Sequence, residues 1–301
     1  MNIKITDVRA LKGDSAFLID DGKTSILYDS GFGFTGFQVA ENIKRELKDR
    51  DLNFIFLTHS HYDHALGSAY VLNRFKNAKV VAGEYAVKIF SKSTAKAVMR
   101  DLDKKFAFKN GISDYEDLAD NLTVHIALKD NDKIKAGDME FTALNLTGHT
   151  KCSVGYYLKS EKLLLSTESL GVYTEDGEVV PSYLVGYQMV IDSIKRVMSL
   201  DVEKILIPHY GVIEGAEAEN YLKKALKNAI ETADEIVSIL KSGKSKEDAV
   251  NHFVAKYYKG KVKEIYPYDA MMLNTSITVD LIENEPKGGA PNVRRTLLEY
   301  R

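Results

Sequence analysis

The chain has 301 residues, of which 45% are apolar, and this composition excludes a disordered or fibrous protein. Its 41 basic and 43 acidic residues leave a formal net charge of −2, so the sequence lacks the basic excess of a nucleic-acid-binding protein. The single cysteine, Cys152, excludes an internal disulfide and is typical of a reducing compartment.

The first segment, MNIKITDVRALKG, alternates apolar and polar residues as a strand does. It lacks the uninterrupted apolar stretch of a signal peptide. No apolar run in the sequence approaches the roughly 18 residues that a membrane helix needs. We therefore expect a cytoplasmic protein that has neither a membrane nor a nucleic acid as its partner.

The segments up to residue 90 alternate between strand-like and helix-like patterns, the order expected of an α/β protein. Apolar alternation or short continuous apolar runs indicate the strands, and a Gly-rich turn, SGFGFTG, follows the third of them. Val39, Ile43 and Leu47 show helical spacing. The predicted strands are 3–9, 15–20, 24–29, 53–58 and 78–83, and the predicted helices are 37–48, 65–75 and 84–90.

Residues 91–130 break this alternation. They are polar, with scattered apolar anchors such as Phe106, Phe108 and Tyr115. An inserted segment of this size is often a lid or a substrate loop, and a helical excursion over the surface explains the pattern equally well.

The second half of the chain returns to short strands and then becomes helical. Strands are predicted at 139–146, 153–158, 162–166 and 203–207, with a helix at 184–199. From residue 215 onward one apolar helical face is expected to pack on the core or on a second copy in a homodimer. That face comprises Leu222, Leu226, Ile230, Ala233, Val237 and Leu240. Ser245 and Asp248 predict the start of another helix, and KGGAP predicts a loose tail.

The stretch LTHSHYDHALGS, at 57–68, follows an apolar strand and crowds ionisable side chains together. His59, His61 and Asp63 are spaced by two, so in an extended segment they face the same way, and His64 follows as a helix begins. Such a cluster beside an apolar core is costly unless a cation binds it. Imidazoles and a carboxylate suit zinc, and also iron or manganese.

Three further candidate ligands lie far along the chain, each just after an apolar strand. They are His149 in TGHTKCSVG, Glu168 in LLLSTESLG and His209 in ILIPHYG. Because sites in α/β sheets collect at the carboxyl ends of strands, we expect these residues to join the first cluster. Five of the seven histidines then belong to one metal site.

The order of these motifs resembles the metallo-β-lactamase superfamily. H-x-H-x-D-H at 59–64 is followed by a Gly-His-Thr histidine, a carboxylate after a strand and a Pro-His histidine, and YDSG at 28–31 matches the superfamily's D-T/S-G turn. The resemblance implies an α/β fold in four αββα layers. Residues 1–213 would form the metallo-β-lactamase-like catalytic domain, and residues 214–301 a C-terminal helical extension packed on it.

The resemblance also implies a site for two divalent metal ions, with zinc expected and iron or manganese as alternatives. One ion would be held by His59, His61 and His149, and the other by Asp63, His64 and His209. Glu168 would bridge the two ions, roughly 3.5–4 Å apart, whose bound hydroxide would attack the substrate. Asp63 would also move a proton to the leaving group.

Three residues at or near this site call for separate expectations. Asp29 would accept a hydrogen bond from a ligand histidine or orient the turn beneath the site. Glu168 departs from the superfamily pattern, which usually has aspartate at this position. Glutamate is one methylene longer, so it would bridge the ions or bind one ion alone. Cys152 fits a buried small hydrophobe better than a ligand.

The resulting functional hypothesis is a metal-dependent hydrolase acting on a small ester-like molecule: a thioester, lactone, ester or phosphoester. The same fold also supports iron-dependent oxidoreductases and sulfur dioxygenases. The diiron group usually has glutamate where this chain has His61, which argues against that alternative. A non-catalytic metal-binding sensor is favoured by Glu168 alone.

Overall fold

The computed structural model describes residues 3–285. These residues form two compact units. Among these residues, the first unit contains the chain up to Asn145 together with Val154–Glu161, and the second contains Leu146–Ser153 together with Lys162–Glu285. The predicted boundary after residue 213 is not tested by this division and stays a prediction. The predicted loose tail at KGGAP lies outside the described residues.

The first unit is built on a six-stranded sheet with the strands in chain order. The first three strands are antiparallel, and the third to sixth are parallel. All five strands predicted before residue 90 are present. The six strands are β1 (Lys4–Asp7), β2 (Phe17–Asp20), β3 (Ser25–Tyr28), β4 (Phe54–Phe56), β5 (Lys79–Gly83) and β6 (Ile126–Leu128).

Five helices accompany this sheet in the first unit. The predicted helix at 37–48 is present and buries Val39, Ile43 and Leu47, as its spacing indicates. The helix predicted at 65–75 begins earlier, and His61 immediately precedes its first turn. The helices are α1 (Gly36–Leu47), α2 (Tyr62–Ala65), α3 (Gly67–Arg74), α4 (Glu84–Phe90) and α5 (Ser93–Lys109).

The polar segment 91–130 contains a long packed helix, α5. Its buried residues, Ala95, Met99, Asp103 and Ala107, are spaced by four and form a narrow stripe. Of the expected apolar anchors, Phe108 is 74% exposed, so it is not one. The stripe holds two alanines and an acid, and for that reason hydrophobic periodicity did not reveal it.

Three antiparallel strands complete the first unit: β7 (Lys133–Ala136), β8 (Met139–Asn145) and β9 (Val154–Leu158). The sequence predicted β8 and β9 but missed β7. The buried residues of β7, Ile134 and Ala136, alternate with lysines, so the strand is half-buried and short. Four-residue alternation of this kind is weak against a background of charged residues.

The second unit contains two parallel strands, β10 (Leu163–Leu165) and β13 (Lys204–Ile207), in direct register. Both were predicted. Three short strands were missed: β11 (Val172–Tyr173), β12 (Val179–Val180) and β14 (Gly211–Glu214). The first two form a hairpin, and the third pairs antiparallel with β13.

Helices dominate the rest of the second unit. They are α6 (Tyr187–Met198), α7 (Ala216–Lys241), α8 (Lys246–Tyr257), α9 (Val262–Ile265) and α10 (Tyr268–Asn284). The capping box of Ser245 and Asp248 is present at the start of α8, as predicted. No helix among residues 3–285 is both long and apolar enough to cross a membrane.

The buried face of α7 agrees only in part with the predicted one. Leu222 and Ala233 are buried as predicted, whereas Ile230 is 36% exposed and the structure also buries Ala225 and Ala229. Close packing of a long helix favours small residues, because they let its backbone approach its neighbours. The predicted face of α7 contained larger side chains because hydrophobic periodicity takes no account of side-chain size.

Candidate metal centre

The first unit gathers the HxHxDH side chains at the carboxyl end of β4. The rings of His59 and His64 have centroids 4.0 Å apart, and those of His59 and His61 have centroids 4.6 Å apart. His59 and His64 are fully buried, whereas Asp63 keeps 23% of its side chain exposed. Asp63 Oδ2 lies 3.6 Å from His64 Nε2. The four predicted residues of this motif therefore converge on one point.

Asp29 lies beneath this cluster, at the carboxyl end of β3, in the left-handed backbone region with φ 51°. Its buried carboxylate accepts hydrogen bonds from the Thr58 amide at 2.8 Å, the Thr58 hydroxyl at 3.0 Å and the Ser15 hydroxyl at 3.0 Å. A non-glycine residue with positive φ costs of order 1–3 kcal/mol. These hydrogen bonds offset that cost and fix the carboxylate in place.

The same carboxylate orients two histidines. His64 Nδ1 lies 2.8 Å from Asp29 Oδ2 and donates to it, since a carboxylate only accepts. The Thr58 hydroxyl donates its one hydrogen to Asp29, so its oxygen accepts from His59 Nδ1 at 3.0 Å. Both imidazoles thus keep the proton on Nδ1 and present the lone pair of Nε2. The predicted contact between Asp29 and a histidine of the motif is present.

Close backbone packing holds the turn after β3 against the start of α3. The Ser30 amide and hydroxyl both donate to the His64 carbonyl at 2.8 Å. A Cβ on Gly67 would lie 1.8 Å from the Ser30 carbonyl oxygen, a distance that no side chain allows. Glycine is therefore required at 67 for His64 to reach Asp29.

In the second unit, the predicted ligands His149 and His209 both lie next to the third, Glu168. This residue begins a 3₁₀ turn just after β10. Its Oε2 lies 2.8 Å from His149 Nε2, and its Oε1 lies 3.3 Å from His209 Nε2. One carboxylate oxygen thus faces each imidazole. The Glu168 carboxylate therefore contacts two histidines that come from separate turns.

Ser182 orients His149, and sequence reasoning missed it. Its hydroxyl lies 2.7 Å from His149 Nδ1, on the side of the ring opposite Glu168. The loop that carries Ser182 is fixed because the amides of Leu184 and Val185 donate to the Gly148 carbonyl at 3.0 and 2.9 Å. The two residues are 33 positions apart, and no local pattern links them.

His209 stands at the carboxyl end of β13 in a strained turn with φ 63°. Tyr210 packs edge-on against Tyr173 with ring centroids 4.7 Å apart. Tyr173 in turn donates a hydrogen bond from its hydroxyl to Glu217 at 2.9 Å. The turn is therefore supported from the side of α7.

Other candidate ligands of the second unit lie elsewhere. Cys152 is buried, and its Sγ is 3.3 Å from the Thr150 hydroxyl. The side chain of Glu175 is 53% exposed and pairs with Lys261, and Asp176 bonds to the Thr174 hydroxyl. Cys152 is therefore a buried structural residue, as expected, and Glu175 and Asp176 are exposed acids engaged at the surface.

Comparison with known proteins identifies a family. Residues 12–209 match the family model described as the metallo-beta-lactamase superfamily. This range contains every predicted ligand as well as Asp29. The match covers well over half of the chain.

A curated relative shares part of the sequence. The chain is 27% identical over 165 residues to a probable hydroxyacylglutathione hydrolase of Schizosaccharomyces pombe, over 53% of this chain and 50% of that protein. The chain therefore spans about half the length of the curated relative it matches.

Solved structures share the fold over nearly the whole chain. A metallo-beta-lactamase family protein from Thermus thermophilus matches with a TM-score of 0.60 and 17% identity, covering 92% of this chain and 91% of that one. An archaeal metallo-beta-lactamase superfamily protein from Sulfolobus tokodaii matches with a TM-score of 0.57 and 17% identity, covering 91% and 94%. The predicted fold class, α/β with C-terminal helices, is confirmed.

Proposed function

The chain belongs to the metallo-β-lactamase superfamily, and we propose that it is a metal-dependent hydrolase of a small ester-like substrate. One observation carries the proposal: three buried histidines have a hydrogen-bond partner at Nδ1. Asp29 engages His64, Thr58 engages His59, and Ser182 engages His149. Ligand histidines are usually engaged in this way, because the outer contact fixes the ring and its tautomer.

The proposed ligands are the seven residues that the motifs indicated. We propose that His59, His61 and His149 hold one ion and that Asp63, His64 and His209 hold the other. Imidazole nitrogens with carboxylate oxygens are typical of zinc, which we propose as the metal, and are compatible with iron and manganese. We assign the bridging position to Glu168 because its two oxygens face different histidines.

When bound, such ions activate water near neutral pH and polarise the oxygen of the scissile group. The protein's own contribution is positional. Asp29 and Ser182 hold the rings of His64 and His149 from behind, so that each presents Nε2. We assign Asp63 to proton transfer toward the leaving group, because it is the partly exposed carboxylate of its cluster.

The name of the curated relative supports one order in which to examine the proposed substrate classes. That protein is named for the hydrolysis of an acylglutathione, which is a thioester. We therefore propose thioesters as the first class to examine, ahead of lactones, other esters and phosphoesters. The proposal needs neither a nucleic acid nor a membrane as partner. The cytoplasm remains the proposed compartment, and a homodimer remains a proposal.

Metal analysis combined with a substrate screen tests this function. We expect elemental analysis of the purified protein to return about two equivalents of zinc, iron or manganese per chain. The metal-loaded protein should hydrolyse members of a panel of thioesters, lactones and phosphodiesters, and chelation should abolish this activity. A protein that binds no transition metal even after reconstitution would overturn the proposal.

A further inference from the structure

Five aromatic side chains of the first unit form one cluster, which we call the aromatic wall. The Phe32 ring lies 4.7 Å from Phe106, 5.2 Å from Phe34 and 5.6 Å from Tyr62, measured between centroids. Tyr115 joins through an edge contact with Phe34 at 6.2 Å. The distances are those of offset and edge-on aromatic pairs.

The wall stands beside the HxHxDH cluster. Tyr62 lies between His61 and Asp63 in the chain, at the first residue of α2. Phe32 and Phe34 come from the turn after β3, which begins at Asp29. Tyr62 therefore joins the wall to the HxHxDH motif along the chain, while Phe106 and Tyr115 are supplied by the segment 91–130.

Most of the wall is partly accessible to solvent. Phe32 is buried, at 3% exposure, whereas Phe34, Tyr62, Phe106 and Tyr115 are half-buried. Half-exposed aromatic rings next to a reactive cluster are typical of ligand pockets, which are lined by apolar side chains with a few polar groups. Phe108, two residues beyond Phe106 on the same helix, is 74% exposed and belongs to no such cluster.

Buried carboxylates hold the wall in position. Asp103 of α5 accepts hydrogen bonds from the amides of Gly33 and Phe34, at 2.9 and 3.1 Å, and from the Tyr115 hydroxyl. Burial raises the pKa of Asp103 to about 6. Asp14 accepts from the Phe32 amide at 3.1 Å. A surface fixed in this way loses little conformational entropy when a ligand binds.

We propose that the aromatic wall binds the apolar acyl group of the substrate. This inference rests on the proposed function and specifies the substrate class of that site. An acyl chain laid against Phe34, Tyr62 and Phe106 loses its contact with water while the ester bond stays near Asp63. Substrates with longer apolar acyl groups are then preferred over acetyl esters.

The test compares Phe106→Ala with Phe108→Ala, using acetyl and octanoyl thioesters of one thiol. We expect Phe106→Ala to lower kcat/KM for the octanoyl substrate about tenfold more than for the acetyl substrate. Phe108→Ala should leave the octanoyl-to-acetyl ratio unchanged. An equal fall for both substrates in Phe106→Ala, or no fall, would overturn the inference. Phe106→Leu, which keeps apolar volume without the ring, serves if Phe106→Ala does not fold.

A binding measurement separates this inference from the proposed function. Titration calorimetry of octanoate and of acetate into metal-loaded protein needs no turnover. If the unaltered protein hydrolyses no ester, the proposed function fails. Even then, weaker octanoate binding by Phe106→Ala than by Phe108→Ala would support the proposal that the aromatic wall binds an apolar acyl chain. Equal octanoate affinity in all three proteins would overturn it.

Discussion

The two clusters of candidate ligands are built in different ways. In the first unit, four residues within His59–His64 leave one strand together, and the carboxylate of Asp29 braces His64 directly and His59 through Thr58. In the second unit, three residues come from three separate turns, and a single neutral hydroxyl, that of Ser182, braces His149.

The difference shows two solutions to one physical problem. Crowded imidazoles must be held in a fixed tautomer and direction before a cation binds. A contiguous motif can share one buried acid among neighbouring rings. Dispersed residues need a separate brace each, and His209 relies on a strained turn. Removing the Asp29 carboxylate should therefore disturb both His59 and His64 in the first cluster. In the second cluster, removing the partner of one histidine should disturb that histidine alone.

The largest expected effect is the loss of a candidate ligand from either cluster. His61→Ala and His149→Ala should each reduce hydrolysis to background and lower the metal content, because the remaining donors no longer complete a coordination shell. Metal analysis and turnover of the best substrate measure both effects. His252→Ala is the matched control, since His252 is 46% exposed and pairs with Glu235 on the surface. Unchanged turnover in His61→Ala would place the chemistry elsewhere.

A smaller effect is expected from the braces, and it should be unequal. Asp29→Asn leaves at least one buried donor facing an amide NH₂, at a cost of about 1–3 kcal/mol of unfolding free energy. It should also weaken metal binding by roughly 10–100-fold, because His64 loses its orientation. Ser182→Ala removes one hydrogen bond, so the loss of affinity should lie near the lower end of that range.

Chelator competition and denaturant unfolding distinguish the two braces. The difference between the clusters is supported if Asp29→Asn lowers both the metal affinity and the free energy of unfolding, while Ser182→Ala lowers mainly the metal affinity. Equal losses in the two variants would contradict it. Thr150→Ser is a suitable control, since it keeps a hydroxyl in the turn of His149 without touching the Ser182 contact.

The smallest effect is expected from Glu168→Asp, which brings the chain to the usual superfamily residue. Glu168 now faces His149 at 2.8 Å and His209 at 3.3 Å. The variant should retain metal and hydrolyse more slowly, because a shorter side chain no longer faces both histidines without a shift of the turn. Metal content and kcat measured together are the readout. Loss of metal would show that the backbone around residue 168 is fitted to glutamate.

Much of the fold could be predicted because its signals are local. The strand that precedes His59 is a continuous apolar run, and α1 has a clear apolar stripe at Val39, Ile43 and Leu47. Elements were missed where the signal was weak: β7 is a four-residue strand rich in lysine, and α5 buries alanines and an acid. On α7 the buried face was misassigned because small residues pack there.

The candidate ligands were identifiable from the amino-acid order alone, because three histidines and an aspartate are crowded directly after a strand, and the separate candidates all follow apolar strands. Asp29 was also predicted to orient a histidine, but the other stabilising contacts were not predicted. Ser182 reaches His149 across 33 residues, and Asp103 reaches Gly33 across 70, through contacts that no short-range periodicity encodes. Residues that are distant along the chain come into contact only when helices and strands pack together. The orientation of the histidine rings and the aromatic wall could therefore be recognised only in the tertiary structure.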